Sequence, residues 1–214
     1  LGQNFLLDDE WIDRIVDAAG VAAGDNVLEI GAGAGVLTAA LATRGAGVLA
    51  LEIDRSLEPV LRDVLASLNA VRVEYADALK CDLAALTREA FGGAPFVVCA
   101  NLPYYITADA VLRVLRCGLP VKRATVLVQK EAAERMMAAP GEKAWCALAA
   151  TVQFYARPVA CFDVPPAAFT PPPHVTSRLL RLEIFAQRPV QVKNEQAFLR
   201  LIAAAFAMRR KTLL

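Results

Sequence analysis

The chain has one histidine, His174, among its 214 residues, and that residue stands in a proline-rich stretch. Neither a His-based metal site nor a Ser-His-Asp triad has enough parts, so zinc chemistry and triad hydrolysis drop away. No apolar run approaches the roughly 18 uninterrupted residues of a membrane span; residues 201–208 are among the longest. A soluble protein without a membrane partner is expected. The five cysteines (Cys81, Cys99, Cys117, Cys146, Cys161) are odd in number and contain no C-x-x-C pair, which argues against a disulfide framework and for buried, reduced thiols. Acidic Asp8, Asp9 and Glu10 follow the start almost at once, unlike a signal peptide. A cytoplasmic location fits these features. Aromatic residues make up only 7% and the formal net charge is +1.

What the chain has in abundance is Ala, Val and Leu, which bring the hydrophobic fraction to 57%. That composition suits helices packed on a buried parallel sheet. The length is one generous domain, or a domain with a small appendage, able to bury roughly 70% of its unfolded surface. The near-neutral charge conceals an asymmetry: residues 186–214 carry six basic residues against one acidic, whereas the rest is net acidic. A basic tail on an acidic body points to a polyanion partner or to an ordinary solvated helix end.

Apolar spacing predicts a first helix through Trp11, Ile12, Ile15, Val16 and Ala19, capped by Asp8 or Asp9. Strands and helices then alternate. Strands are expected at 26–30, 48–52, 71–75, 96–100 and 124–128; helices at 36–43, 57–68, 83–91, 108–117, 131–138 and 145–155. Repeated βα units build an open, doubly wound parallel sheet. Residues 159–164 and 178–185 read as an antiparallel hairpin at its edge, which completes seven strands. The sheet pattern stops near 186–189, and a helix at 195–208 precedes Arg209, Arg210 and Lys211. The expected division is therefore 1–185 and 186–214, the second part resembling the start of a helical domain that has been cut off.

In such a sheet, ligands bind beyond the carboxyl ends of the strands. The first strand of the sheet runs into Gly31, Gly33 and Gly35 at alternate positions, ahead of a helix N-terminus. Glycines there let the backbone turn tightly and approach a ligand. The spacing departs from G-x-G-x-x-G, and the loop alone leaves a nicotinamide and an S-adenosylmethionine enzyme equally open. Glu52 closes the next strand, where a carboxylate can accept ribose hydroxyls of either cofactor, with Ile53 beside it. Asp77 closes the third, placed to accept from an adenine amino group while the Ala78 amide donates to the ring.

The fourth strand runs into Asn101-Leu102-Pro103-Tyr104. An N-[LI]-P-Y tetrapeptide at this point resembles the methyltransferases that act on the amino group of adenine in ribosomal RNA. The resemblance extends along the chain: Gly2-Gln3-Asn4-Phe5-Leu6, Gln129-Lys130-Glu131, Pro140-Gly141-Glu142-Lys143-Ala144, Phe169 to Ser177, and Arg209-Arg210-Lys211-Thr212-Leu213. It is similar to the KsgA-type small-subunit dimethyltransferases, favoured over Erm-type large-subunit methylases by the P-G-x-K-A segment. A non-enzymatic ribosome-assembly factor on the same scaffold is the other alternative. Ala32 stands where the family usually has Pro, Trp145 replaces Tyr, and Thr107 replaces Ser; none removes a group the chemistry needs.

The resemblance implies a Rossmann-like seven-stranded class I methyltransferase sheet of the α/β class, S-adenosyl-L-methionine as cofactor, no metal, and a monomer acting on rRNA in the small ribosomal subunit. It implies cofactor contacts from Gln3, Asn4, Leu6, Gly31, Gly33, Glu52, Ile53, Asp77, Ala78 and Asn101. The catalytic set is Asn101, Leu102, Pro103, Tyr104 and Phe169. Asn101 Oδ1 and the Leu102 carbonyl would accept the two amino hydrogens of adenine. Pro103 stiffens the turn and leaves carbonyls facing the substrate, and Tyr104 and Phe169 form two stacking faces. Arg113, Arg116, Lys122, Arg123 and the 209–211 cluster are the candidate RNA-backbone contacts.

Overall fold

The computed structural model describes residues 4–207; Gln3 and the cluster Arg209, Arg210 and Lys211 lie outside the described residues. After a two-residue strand β1 (Phe5–Leu6), helix α1 (Asp9–Ala19) begins at Asp8, whose side chain accepts from the Glu10 and Trp11 amides, and ends on left-handed Gly20. The βα repeat follows as β2 (Asn26–Ile30), α2 (Val36–Thr43), β3 (Gly47–Glu52), α3 (Glu58–Leu65), β4 (Val71–Tyr75), α4 (Leu83–Phe91) and β5 (Phe96–Asn101). Then come α5 (Thr107–Arg116), β6 (Val121–Gln129), α6 (Lys130–Met137), α7 (Ala147–Tyr155), β7 (Ala156–Val164), β8 (Phe169–Thr170), β9 (Ser177–Ile184) and α8 (Glu195–Ala207).

Seven strands form one sheet in the order β4-β3-β2-β5-β6-β9-β7. The five from β4 to β6 are parallel; β9 pairs antiparallel with both β6 and β7. The expected hairpin is present, with β7 at the edge and β9 wedged between it and β6. Pro158 explains why β7 begins earlier than the apolar pattern implies: an edge strand tolerates a residue without an N–H, and Pro158 stands opposite Leu182 in the ladder. Strand order reverses between β2 and β5, which makes their carboxyl ends the crevice of the sheet.

Alternation along the central strands divides the core into two layers. Leu28, Ile30, Leu49 and Val98 face Leu83, Val111 and Val114 of α4 and α5; Val27, Val48, Ala50 and Val97 face Ile12, Ile15, Leu37 and Leu41 of α1 and α2. Burying each such large aliphatic side chain contributes about 1.5 to 3 kcal/mol. The same period of two carries Glu29 inward with Val27. Helix α8 packs on α7 through Phe154 and Phe198, whose ring centroids are 4.9 Å apart. Among the described residues no helix is long and apolar enough to cross a membrane.

Two expectations need correction. Only Cys99 is fully buried; the other four cysteines are half-exposed, and all five are free thiols. Lys122 and Arg123 do not project as RNA contacts. Strand β6 starts at the end of the sheet opposite the crevice, where Lys122 Nζ pairs with Asp25 at 3.0 Å and Arg123 donates to the Ala19 and Gly20 carbonyls. Helix C-termini leave such carbonyls without partners, and a guanidinium satisfies them.

Candidate active site

The crevice is a cleft of about 320 Å³, within the usual size of small-molecule sites. Its floor is the glycine loop. Gly31 has φ +83°, and a side chain there would lie 3.5 Å from the Asn101 carbonyl; Gly33 has φ +56°, and a side chain there would press on the Phe5 ring at 3.3 Å. Both positions therefore need glycine, the second because β1 lies directly over the loop. Antiparallel pairing of Phe5 with Thr170 and Leu6 with Phe169 ties the opening segment to the proline-rich loop above the cleft.

Glu52, only 3% exposed, lines one end of the cleft. Its Oε2 accepts from the Gly33 amide at 2.8 Å, and its Oε1 accepts from the Ile53 and Asp54 amides, both at 2.9 Å. Three backbone donors hold the carboxylate in one orientation, two on Oε1 and one on Oε2, which leaves Oε2 with capacity for a further donor. Ile53 is 55% exposed beside it and offers a flat apolar contact. Next to it, just beyond β4, Asp77 forms a tight turn, with Oδ1 accepting from the Leu79 amide at 2.8 Å and Oδ2 3.4 Å from Lys80 Nζ. Ala78 and Asn4 also line the cleft.

At the other end β5 delivers Asn101, whose side-chain amide has no protein hydrogen bond among the described residues. Leu102 donates its amide to the Leu127 carbonyl at 3.2 Å and buries its side chain. The Pro103 carbonyl does not face a substrate: the Ile106 amide and the Thr107 hydroxyl occupy it as α5 begins. The polar groups left for a ligand are thus the Asn101 amide and the Leu102 carbonyl. Tyr104 is half-buried, and its hydroxyl shares a 2.8 Å hydrogen bond with Ser177 Oγ at the start of β9. Phe169 lines the cleft but is 3% exposed, so little of its ring is available for stacking.

Of the residues expected from sequence, the cleft unites all that are described except Leu6, which sits in the core with Ile12 and borders a smaller inner cavity. His174 is exposed on its loop, away from the cleft. Phe5, Leu79 and Tyr105 line the cleft unanticipated. Tyr105 is 67% exposed at the mouth, and its position directly after Tyr104 was the available signal. Among the described residues no group of three or more His, Cys, Asp or Glu could hold a metal ion.

The family described as ribosomal RNA adenine dimethylase matches residues 1–214. The ribosomal RNA small subunit methyltransferase A of Alkaliphilus oremlandii is 45% identical over 214 residues, covering 100% of this chain and 75% of that protein. Its counterpart in Geobacillus thermodenitrificans is 42% identical over 215 residues, with 100% and 73% covered. Among solved structures, a dimethyladenosine transferase from Plasmodium falciparum superposes with TM-score 0.84 at 28% identity, covering 98% of this chain and 73% of that one. The 23S rRNA methyltransferase ErmE superposes with TM-score 0.79, also at 28% identity, with 98% and 81% covered.

Proposed function

Because this chain belongs to the ribosomal RNA adenine dimethylase family, we propose that it dimethylates the exocyclic amino group of adenines in small-subunit rRNA, using S-adenosylmethionine. The observation that carries this reading is the pairing, at one end of the cleft, of an unengaged Asn101 amide with the Leu102 carbonyl. The curated relatives at 42–45% identity are small-subunit enzymes by name, which supports that subunit over the large one.

The residues present fit the cofactor: a glycine loop at positive φ, a buried carboxylate oriented by three backbone amides with an acceptor site left on Oε2, and an apolar Ile53 face. When bound, the cofactor supplies an electrophilic methyl on a sulfonium. Everything else falls to the chain. Adenine's amino nitrogen is a poor nucleophile because its lone pair is delocalised into the ring. Asn101 Oδ1 and the Leu102 carbonyl each accept one amino hydrogen, draw the nitrogen towards tetrahedral geometry, and aim its lone pair along the cleft. No general base is needed, since the proton is lost after transfer, from a strongly acidic ammonium. Tyr104 stacks on the base, which reaches the cleft only when single-stranded or flipped out.

Exposed Tyr105 is placed to stack on a neighbouring nucleotide, and exposed Arg116 and Arg135 border a groove beyond Tyr104. Residues 186–214 are basic in sequence and include helix α8 (Glu195–Ala207), and we assign this segment to the RNA backbone. Tyr105→Ala is expected to weaken productive RNA binding by about 1 to 3 kcal/mol, the usual worth of one base stack, with cofactor affinity unchanged; KM for RNA and calorimetry with the cofactor read the two effects.

Tyr104→Phe separates ring from hydroxyl. The variant keeps the stacking face and most of its turnover, but loses the bond to Ser177 and about 0.5 to 1.5 kcal/mol of stability, which a denaturant midpoint reads.

The direct test offers labelled cofactor and unmethylated subunits. Label in the small subunit, as dimethyladenine, is expected; label in the large subunit alone would replace this reading with the large-subunit one.

A further inference from the structure

Glu29 is an acidic side chain beside the crevice that the proposed mechanism leaves unused. It stands on β2 between Ala50 of β3 and Cys99 of β5 and is 0% exposed. Among the described residues neither carboxyl oxygen makes a well-aligned hydrogen bond, and the one donor beside it is the Thr38 hydroxyl of α2, which makes none elsewhere. The contrast with Glu52 and its three amide donors is sharp. Glu29 borders an inner cavity of about 30 Å³, whose other walls include Gly31, Gly33 and Asn101. Those three residues also line the main cleft, so the carboxyl lies behind the ligand site, beside a space large enough for a water molecule.

Resting on the functional reading above, we propose that Glu29 is the internal counter-ion of the cofactor's positive end: a carboxylic acid in the free protein, which releases its proton when a sulfonium-bearing ligand binds. The Glu29 O–H bond breaks heterolytically, the electron pair remains on the carboxylate, and the proton passes to solvent; nothing is oxidised or reduced. Burial pushes the Glu29 carboxyl up to about 8, and negative Glu52 adds to this while Thr38 opposes it. The titratable groups facing it are Glu52 on β3 and the Cys99 thiol on β5, which burial keeps protonated; α1 and α2 present Ile12, Leu37 and Thr38, and among the described residues no cation acts on it. A cation in the cleft supplies the missing opposite charge in a low-dielectric setting, where the attraction is strong. Methyl transfer turns the sulfonium into a neutral thioether, so this device favours the cofactor over its spent form.

The test is titration calorimetry of the whole chain with S-adenosylmethionine and with S-adenosylhomocysteine, in buffers of different ionisation enthalpy near neutral pH. Wild type is expected to release more protons with the sulfonium ligand than with the thioether, and Glu29→Gln to abolish that difference. The ratio of the two affinities in wild type should rise with pH, by up to about tenfold per pH unit, and level off above about pH 8 as the free carboxyl itself ionises. A pH-independent ratio in wild type overturns the proposal even if the variant does not fold, as does an identical proton difference in the variant. Absence of any cofactor binding would overturn the functional reading and this inference with it; normal binding without the proton difference removes only Glu29.

Discussion

Asn101→Ala is expected to lower methyl-transfer turnover about 100-fold or more, because one preorganised acceptor in a water-poor site is worth about 2.7 kcal/mol or above. The side-chain amide has no other structural duty to lose among the described residues, and the strand that carries it is anchored independently by Leu102 donating to Leu127 at 3.2 Å. Fold and RNA affinity are therefore expected to survive. Single-turnover kinetics with saturating cofactor separate this loss from weakened binding. Turnover at the wild-type level would remove Asn101 from the transition state and leave the Leu102 carbonyl as the sole acceptor, which the mechanism does not allow.

Glu52→Ala acts on the other end of the cleft. Loss of a charged hydrogen-bond acceptor is expected to weaken S-adenosylmethionine binding by about 1.5 to 3 kcal/mol, or roughly ten- to a hundredfold. The effect has two sources. The ligand loses its diol partner, and the amides of Gly33, Ile53 and Asp54 lose the carboxylate that aligns them. The glycine loop thus relaxes along with the contact, so the neutral isostere Glu52→Gln should recover only part of the affinity. Calorimetry on the folded variants measures both; unchanged affinity in Glu52→Ala would place the diol elsewhere.

The sheet is largely legible in the sequence because its signals are local. Helices α2 and α4 and strands β2 and β4 begin and end where apolar period and glycine punctuation place them. The strand-end residues Glu52, Asp77 and Asn101 share one cleft because a parallel sheet delivers all its carboxyl ends to the same side. Long-range pairing is less legible. A two-residue strand such as β1 has no period to detect, and its partner β8 lies in a loop defined by prolines. Lys122 and Arg123 look like free cations in a list of charges, and only the direction of β6 turns them towards Asp25 and the end of α1. Leu6 carries a family motif, yet its side chain serves the core. Glu29 was hidden by the alternation that buries it: within Val27 to Ile30 it occupies an inward position that the pattern reserves for an apolar residue.

The joining of β1 to β8 also sets an order of events while the chain is being made. Phe5 precedes the whole main sheet in the chain, but its partner Thr170 emerges only after six strands of that sheet. Strand β9 must then insert between β6 and β7 before Ser177 can hold the Tyr104 hydroxyl. The glycine loop and Glu52 can assemble early from neighbouring segments, whereas the roof over Gly33 and the support of Tyr104 come last, since contacts distant in sequence are slow to close. A nascent chain released before β9 therefore has the floor of the cleft without its cover. Competence to retain a ligand is therefore expected only late in synthesis, once β9 is in place.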